Sequence, residues 1–79
     1  MEASKPKYCI GQLINHKLFK YRGIILWVDP SFKETEDWYQ TMAVSRPPKD
    51  KPWYHVKGHD NRRTYVAECN LEPDLTYLN

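Results

Sequence analysis

Short β-branched and aromatic runs alternate with polar segments carrying Pro, Gly and Asn, a pattern that predicts several short strands. Cys9 to His16 alternates, with Ile10 and Ile14 on one face and Cys9 and Leu13 on the other, and is the first expected strand. Arg22 to Val28 is apolar on both faces, which suits a central, strongly curved strand. Gly23 at its head allows a bulge or a close backbone approach, and Asp29-Pro30 ends it. Lys17 to Tyr21, between the two, lacks a tight-turn dipeptide and is expected as a longer loop.

One helical signal follows. Ser31-x-x-Glu34 has the spacing of a capping box, Thr35 is a second N-cap candidate, and Glu34, Glu36 and Asp37 place negative charge where the helix dipole favours it. Trp38, Tyr39 and Met42 form an apolar stripe, so a helix of two to three turns is expected between residues 31 and 43, packed through Trp38 and Met42 with Phe32 as a staple. Pro47-Pro48 stops it, and residues 46–52 read as a stiff, basic, polyproline-like linker.

Trp53 to Lys57 is a third strand, with Trp53, His55 and Lys57 on one face and Tyr54 and Val56 on the other. Gly58 to Asn61 is a turn cluster, Arg63 to Cys69 the returning strand, and Leu71 is expected to tuck into the core from a closing turn over residues 70–73. The whole reads as mainly β: a small SH3-like barrel of about five strands with one short inserted helix. The expected organisation is a flexible arm over residues 1–7, the barrel over 8–74 and a C-terminal end over 75–79.

At 79 residues the chain has room for one small core, to which its 3 Trp, 6 Tyr and 2 Phe must contribute heavily. The longest unbroken apolar run, Ile24 to Val28, is far too short to span a bilayer, and the polar start at Met1 carries no secretory signal, so a cytosolic protein is expected. Cys9 and Cys69 belong to no CxxC pair and are expected as reduced thiols.

Net charge is only +2, but it is distributed in blocks: +4 over residues 1–28, −3 over 29–43, +4 over 44–67 and −3 over 68–79. Such blocks fold either into a basic and an acidic face or into a mixed solvated surface. No nucleophile stands in a motif around His16, His55 or His59, no glycine pattern makes a phosphate loop, and His55 and His59 sit across a strand and a turn rather than on one helix face. No enzymatic activity, metal or cofactor is therefore expected.

Nucleic-acid binding finds more support. Arg46, Lys49, Lys51, Lys57, Arg62 and Arg63 fall on the linker and the following hairpin, interleaved with Trp53, Tyr54 and Tyr65. Tyr54 and Tyr65 are expected in the core. Trp53, sharing a face with His55 and Lys57, is the ring expected to meet a partner, with Arg46, Lys49 and Lys51 beside it and Arg62 and Arg63 across the hairpin.

The series Ile10-Gly11-Gln12, His16, Tyr21-x-Gly23, Asp29-Pro30, Trp38, Pro52-Trp53-Tyr54-His55-Val56 and Thr64-Tyr65-Val66-Ala67-Glu68 resembles, in order and spacing, the YccV-like or hemimethylated-DNA-binding family, which includes HspQ-type heat-shock proteins. The resemblance spans about residues 3–73 and implies a cytoplasmic, non-enzymatic SH3-like barrel. It also implies one of two roles. One is a specificity factor that delivers denatured or regulatory client proteins to an ATP-dependent protease of Lon or Clp type under heat stress. The other is recognition of hemimethylated DNA. Some members of the family are trimers, so a homo-oligomer is among the expectations. The weak net charge favours the adaptor role, and the basic 44–67 block favours DNA.

Overall fold

The computed structural model describes residues 5–76. Five strands form one antiparallel sheet in the order β4-β3-β2-β1-β5: β1 (Leu13–His16), β2 (Arg22–Asp29), β3 (Trp53–Gly58), β4 (Arg63–Ala67) and β5 (Leu71–Pro73). One helix, α1 (Glu36–Met42), lies between β2 and β3. The expected mainly β architecture is observed. β4 and β5 occupy opposite edges of the sheet, yet only the single 3-10 turn Glu68–Asn70 joins them. So short a connection is possible only if the sheet curls until its edges approach, which makes the fold barrel-like. No helix among the described residues is long and apolar enough to cross a membrane.

The curl encloses Ile14, Ile25, Tyr54, Val56, Val66 and Leu71, all at most 5 % exposed. Leu71 packs inside as expected, but it does so at the head of a fifth strand paired with His16, where only a turn was expected. β2 is the sheet's central strand, and Gly23 explains part of how it fits. A Cβ there would lie 2.5 Å from Val56 Cγ1 and 3.0 Å from the Lys57 carbonyl oxygen, so the close approach anticipated at this glycine is real.

The first strand is shorter than its alternation predicts. Gly11 turns the chain with φ +88, Gln12 N–H donates to Cys9 O at 3.0 Å, and Ile10 is left 58 % exposed at the tip instead of sharing the buried face of Ile14. Cys9 and Cys69 are both free and exposed.

Thr35, the second of the two candidates, caps α1: its Oγ1 accepts from Trp38 N–H at 3.1 Å. Ser31 and Glu34 lie before the helix because residues 32 and 33 are already committed, Phe32 N–H to Lys49 O at 2.9 Å and Lys33 N–H to the Tyr65 hydroxyl at 3.1 Å. The helix packs through Tyr39, Ala43 and Trp38 onto Trp53, Ala67 and Tyr65, with Phe32 wedged among them. Met42, expected in this contact, points away and is 58 % exposed. At only seven residues the helix turns one narrow stripe to the sheet, and Tyr39 and Ala43, four apart, occupy it.

Candidate nucleic-acid interface

The register of β2, β3 and β4 fixes which side chains share the outer face of the sheet. Three rows result: Ile24, Lys57 and Arg63; Trp27, His55 and Tyr65; Asp29, Trp53 and Ala67. The helix covers the last row and part of the second. The rest faces solvent, and its largest exposed ring is Trp27, 58 % exposed and directly across from His55.

Trp27 reaches this face through an irregularity. Strict alternation would place it inward with Ile25, but the pairing with β3 slips between Ile25 and Trp27, leaving Leu26 as the extra residue. Ile25 therefore pairs with Val56 inside the barrel and Trp27 with His55 outside it. Nothing in Ile24 to Val28 announces the bulge, so sequence reasoning left Trp27 among the strand's buried apolar residues.

Asp29 organises the centre of the face. Its Oδ2 accepts from the Tyr65 hydroxyl at 2.8 Å and lies 3.0 Å from His55 Nε2, joining β2, β3 and β4 side by side. The Tyr65 ring stacks on Trp53 at 5.2 Å and sits 4.7 Å from His55. Burial first, then the bond to Asp29, raises the Tyr65 hydroxyl well above an ordinary tyrosine, so it stays a donor across the physiological range. The arrangement fixes the His55 ring on the strand position across from Trp27 with 44 % of its side chain exposed.

The residues expected to form the site divide into two groups. His55, Lys57 and Arg63 share the exposed outer face, and Arg62 adjoins it on the turn, fully in solvent and paired loosely with Asp60 at 3.4 Å. Among the described residues neither Lys57 nor Arg63 has an ion-pair partner. Trp53, by contrast, is 1 % exposed and donates its indole N–H to Pro48 O at 3.1 Å beneath α1, which corrects the expectation of an accessible ring. Alternation gave its face correctly but not that the helix covers that end of the face. Tyr54 is fully buried as expected.

The linker cations are also placed elsewhere. Arg46, at φ 51, donates through Nη1 to Ala43 O at 2.7 Å and so satisfies the last turn of α1. Lys49 pairs with Glu36 at the start of the same helix and lies over the Tyr39 ring at 4.3 Å. Lys51 lines a separate cavity of about 430 Å³ with Lys5, Lys7 and Cys69. The linker therefore serves the helix, and the cations of the exposed face come from the β3–β4 hairpin. Among the described residues no group of three or more His, Cys, Asp or Glu side chains gathers as a metal site would require.

The sequence of this chain matches the profile of a family described as hemimethylated DNA-binding protein YccV like over residues 6–77, nearly its whole length. The chain belongs to the YccV-like family.

Proposed function

We propose that the chain is a non-enzymatic DNA-binding module of the cytoplasm, and that DNA lies across the outer face of β2, β3 and β4. The exposure of Trp27 beside Lys57 and Arg63 carries the reading. Cations without an ion-pair partner among the described residues meet phosphates, while an aromatic surface set among them offers apolar contact to a base edge or a base face. Methylation adds an apolar group to the major-groove edge of a base, and Trp27 with half-buried Ile24 is the apolar surface that would meet it. Asp29 and Tyr65 hold this surface in shape without themselves facing the ligand.

The test is titration of the chain with one short duplex in unmethylated, hemimethylated and fully methylated forms at several salt concentrations. Phosphate contacts by Lys57, Arg62 and Arg63 predict a log–log salt slope of roughly −0.9 per contact. Preference for the hemimethylated duplex supports the reading; salt-insensitive binding, or none, contradicts it.

A second reading, as a stress-response adaptor that delivers client proteins to an ATP-dependent protease of Lon or Clp type, is favoured by a different observation. Leu18, Phe19, Met42 and Val44 are each at least half exposed and all border one groove. Apolar groups gathered in this way suit a polypeptide better than a duplex. Stimulation of protein degradation by the purified protease tests it.

A further inference from the structure

β4 is an edge strand with β3 as its strand neighbour on one side. The bonds Gly58 N–H to Arg62 O at 2.9 Å and Glu68 N–H to Pro52 O at 3.1 Å set the phase of that ladder. In an antiparallel pair hydrogen-bonded positions recur every second residue, so Thr64 and Val66 turn their backbone groups to β3. Arg63, Tyr65 and Ala67 turn theirs the other way, towards the seam where the curled sheet fails to close.

A groove of about 400 Å³ runs along that seam and is lined by every residue of β4 from Arg63 to Ala67. The loop residues Leu18 and Phe19 also line it, as do Met42 at the end of α1 and Val44 just beyond. His16 holds the loop in place, its Nδ1 accepting from both Leu18 N–H and Phe19 N–H at 3.1 Å. Tyr21 Oη and Thr64 Oγ1, 2.8 Å apart, tie the loop to β4.

The open edge of β4 identifies the occupant. The five residues of β4 extend roughly 17 Å, and their outward backbone groups are met in register only by another extended backbone. A helix, whose backbone groups are bonded internally, has none to offer this edge. A second globular copy would need to bury about 800 Å² on each partner, roughly a seventh of the molecule's 5631 Å² surface, and one five-residue strand with four apolar side chains does not supply it.

We propose that this seam binds an extended polypeptide segment as a sixth strand beside β4. The segment pairs with the outward backbone groups of Arg63 and Tyr65 and seats alternate apolar side chains against Phe19, Leu18, Met42 and Val44. Arg63, which has no ion-pair partner among the described residues, selects an acidic residue at its end of the segment. The site shares Arg63 with the proposed DNA face but does not rest on that reading, and it is the contact that the adaptor reading needs. An unfolded chain supplies such segments and a folded one hides them, so the class of ligand is unfolded polypeptide.

The probe is a short fluorescein-labelled peptide of alternating valine and threonine ending in aspartates, followed by anisotropy against the full chain. Saturable binding is expected. R63A removes the charge and leaves the outward N–H; R63P removes both without costing a β3–β4 ladder bond. R63P is expected to bind roughly tenfold more weakly than R63A, since a peptide carbonyl is then left unmet. F19S with M42S, both positions being exposed, keeps the fold and weakens the peptide by a similar factor. Equal binding by R63P and R63A, with the F19S/M42S protein unaffected, overturns the proposal, as does absence of binding. Sedimentation showing an R63P-sensitive dimer would make a second copy the occupant and also overturn it. Peptide binding with no effect on proteolysis would contradict the adaptor reading and leave the seam as the site.

Discussion

The Tyr65 hydroxyl donates to Asp29 Oδ2 at 2.8 Å, and this one bond ties the edge strand β4 to the end of the central strand β2 across β3. The same oxygen lies against His55, so removing the carboxylate leaves two polar groups without their partner in a half-buried layer. Asp29→Ala is expected to cost about 1–3 kcal/mol in urea unfolding, and Tyr65→Phe about 1 kcal/mol. Once Asp29 is absent, Tyr65→Phe is expected to cost much less, a non-additivity that a double-mutant cycle measures.

Alkaline titration reports on the same bond. Burial and carboxylate neighbours raise the hydroxyls of Tyr65 and Tyr54 well above 10, with Asp29 acting on the first and Glu68 on the second. A raised folded value favours the protonated form, so their contribution to stability is complete below pH 10 and is lost as pH rises beyond it. Among the described tyrosines, Tyr8 and Tyr21 are also raised, by burial first, so ultraviolet titration of tyrosinate is expected to show Tyr54 and Tyr65 as the latest of four late groups, and Asp29→Asn to bring Tyr65 earlier.

His16 gives the opposite dependence. It is 4 % exposed, and desolvation lowers its pKa from 6.5. Its Nδ1 must remain unprotonated to accept from Leu18 and Phe19. The unfolded chain takes up the proton first as pH falls below about 6.5, so stability is complete above that value and declines towards the lower folded pKa. Urea midpoints measured between pH 8 and 5 are expected to fall across this window, and His16→Gln is expected to flatten the fall at some cost in stability.

Much of this fold could be read from the order of residues, for identifiable reasons. β2 and β3 are rich in β-branched and aromatic residues, and Gly58 to Asn61 marks the hairpin, where Asn61 takes φ 69. β5 could not be recognised, because Leu71-Glu72-Pro73 is too short to display alternation. For the candidate site, alternation placed His55 and Lys57 on one face, and the cations at 62 and 63 beside them. It misplaced Trp27, which a bulge turns outward, and Trp53, which lies on the expected face but under the helix. Arg46 and Lys49 read as a free basic segment, yet α1 has no basic residue in its last turn and draws Arg46 to its C-terminal carbonyls. Each of these outcomes depends on residues distant in sequence.

The two glycines with structural roles separate in a simple way. Gly23→Ala drives a Cβ to 2.5 Å from Val56 Cγ1 and 3.0 Å from backbone of β3, and is expected to cost about 1–3 kcal/mol or more. Gly11→Ala meets nothing within 4 Å and bears only the strain of φ +88, about 1–2 kcal/mol. Thermal unfolding of the two variants is expected to rank them in that order.

The central claim, that the face around Trp27 binds DNA, is tested most directly by comparing W27A with K57A/R63A on one hemimethylated duplex. Trp27 is exposed and Lys57 and Arg63 are unpaired among the described residues, so these variants are expected to keep the fold. W27A is expected to lose about 1–3 kcal/mol of binding and most of the preference over unmethylated duplex, with the salt slope unchanged. K57A/R63A is expected to weaken binding to both duplexes alike and to make the slope shallower by nearly two. Wild-type affinity, preference and salt slope in both variants would contradict the claim.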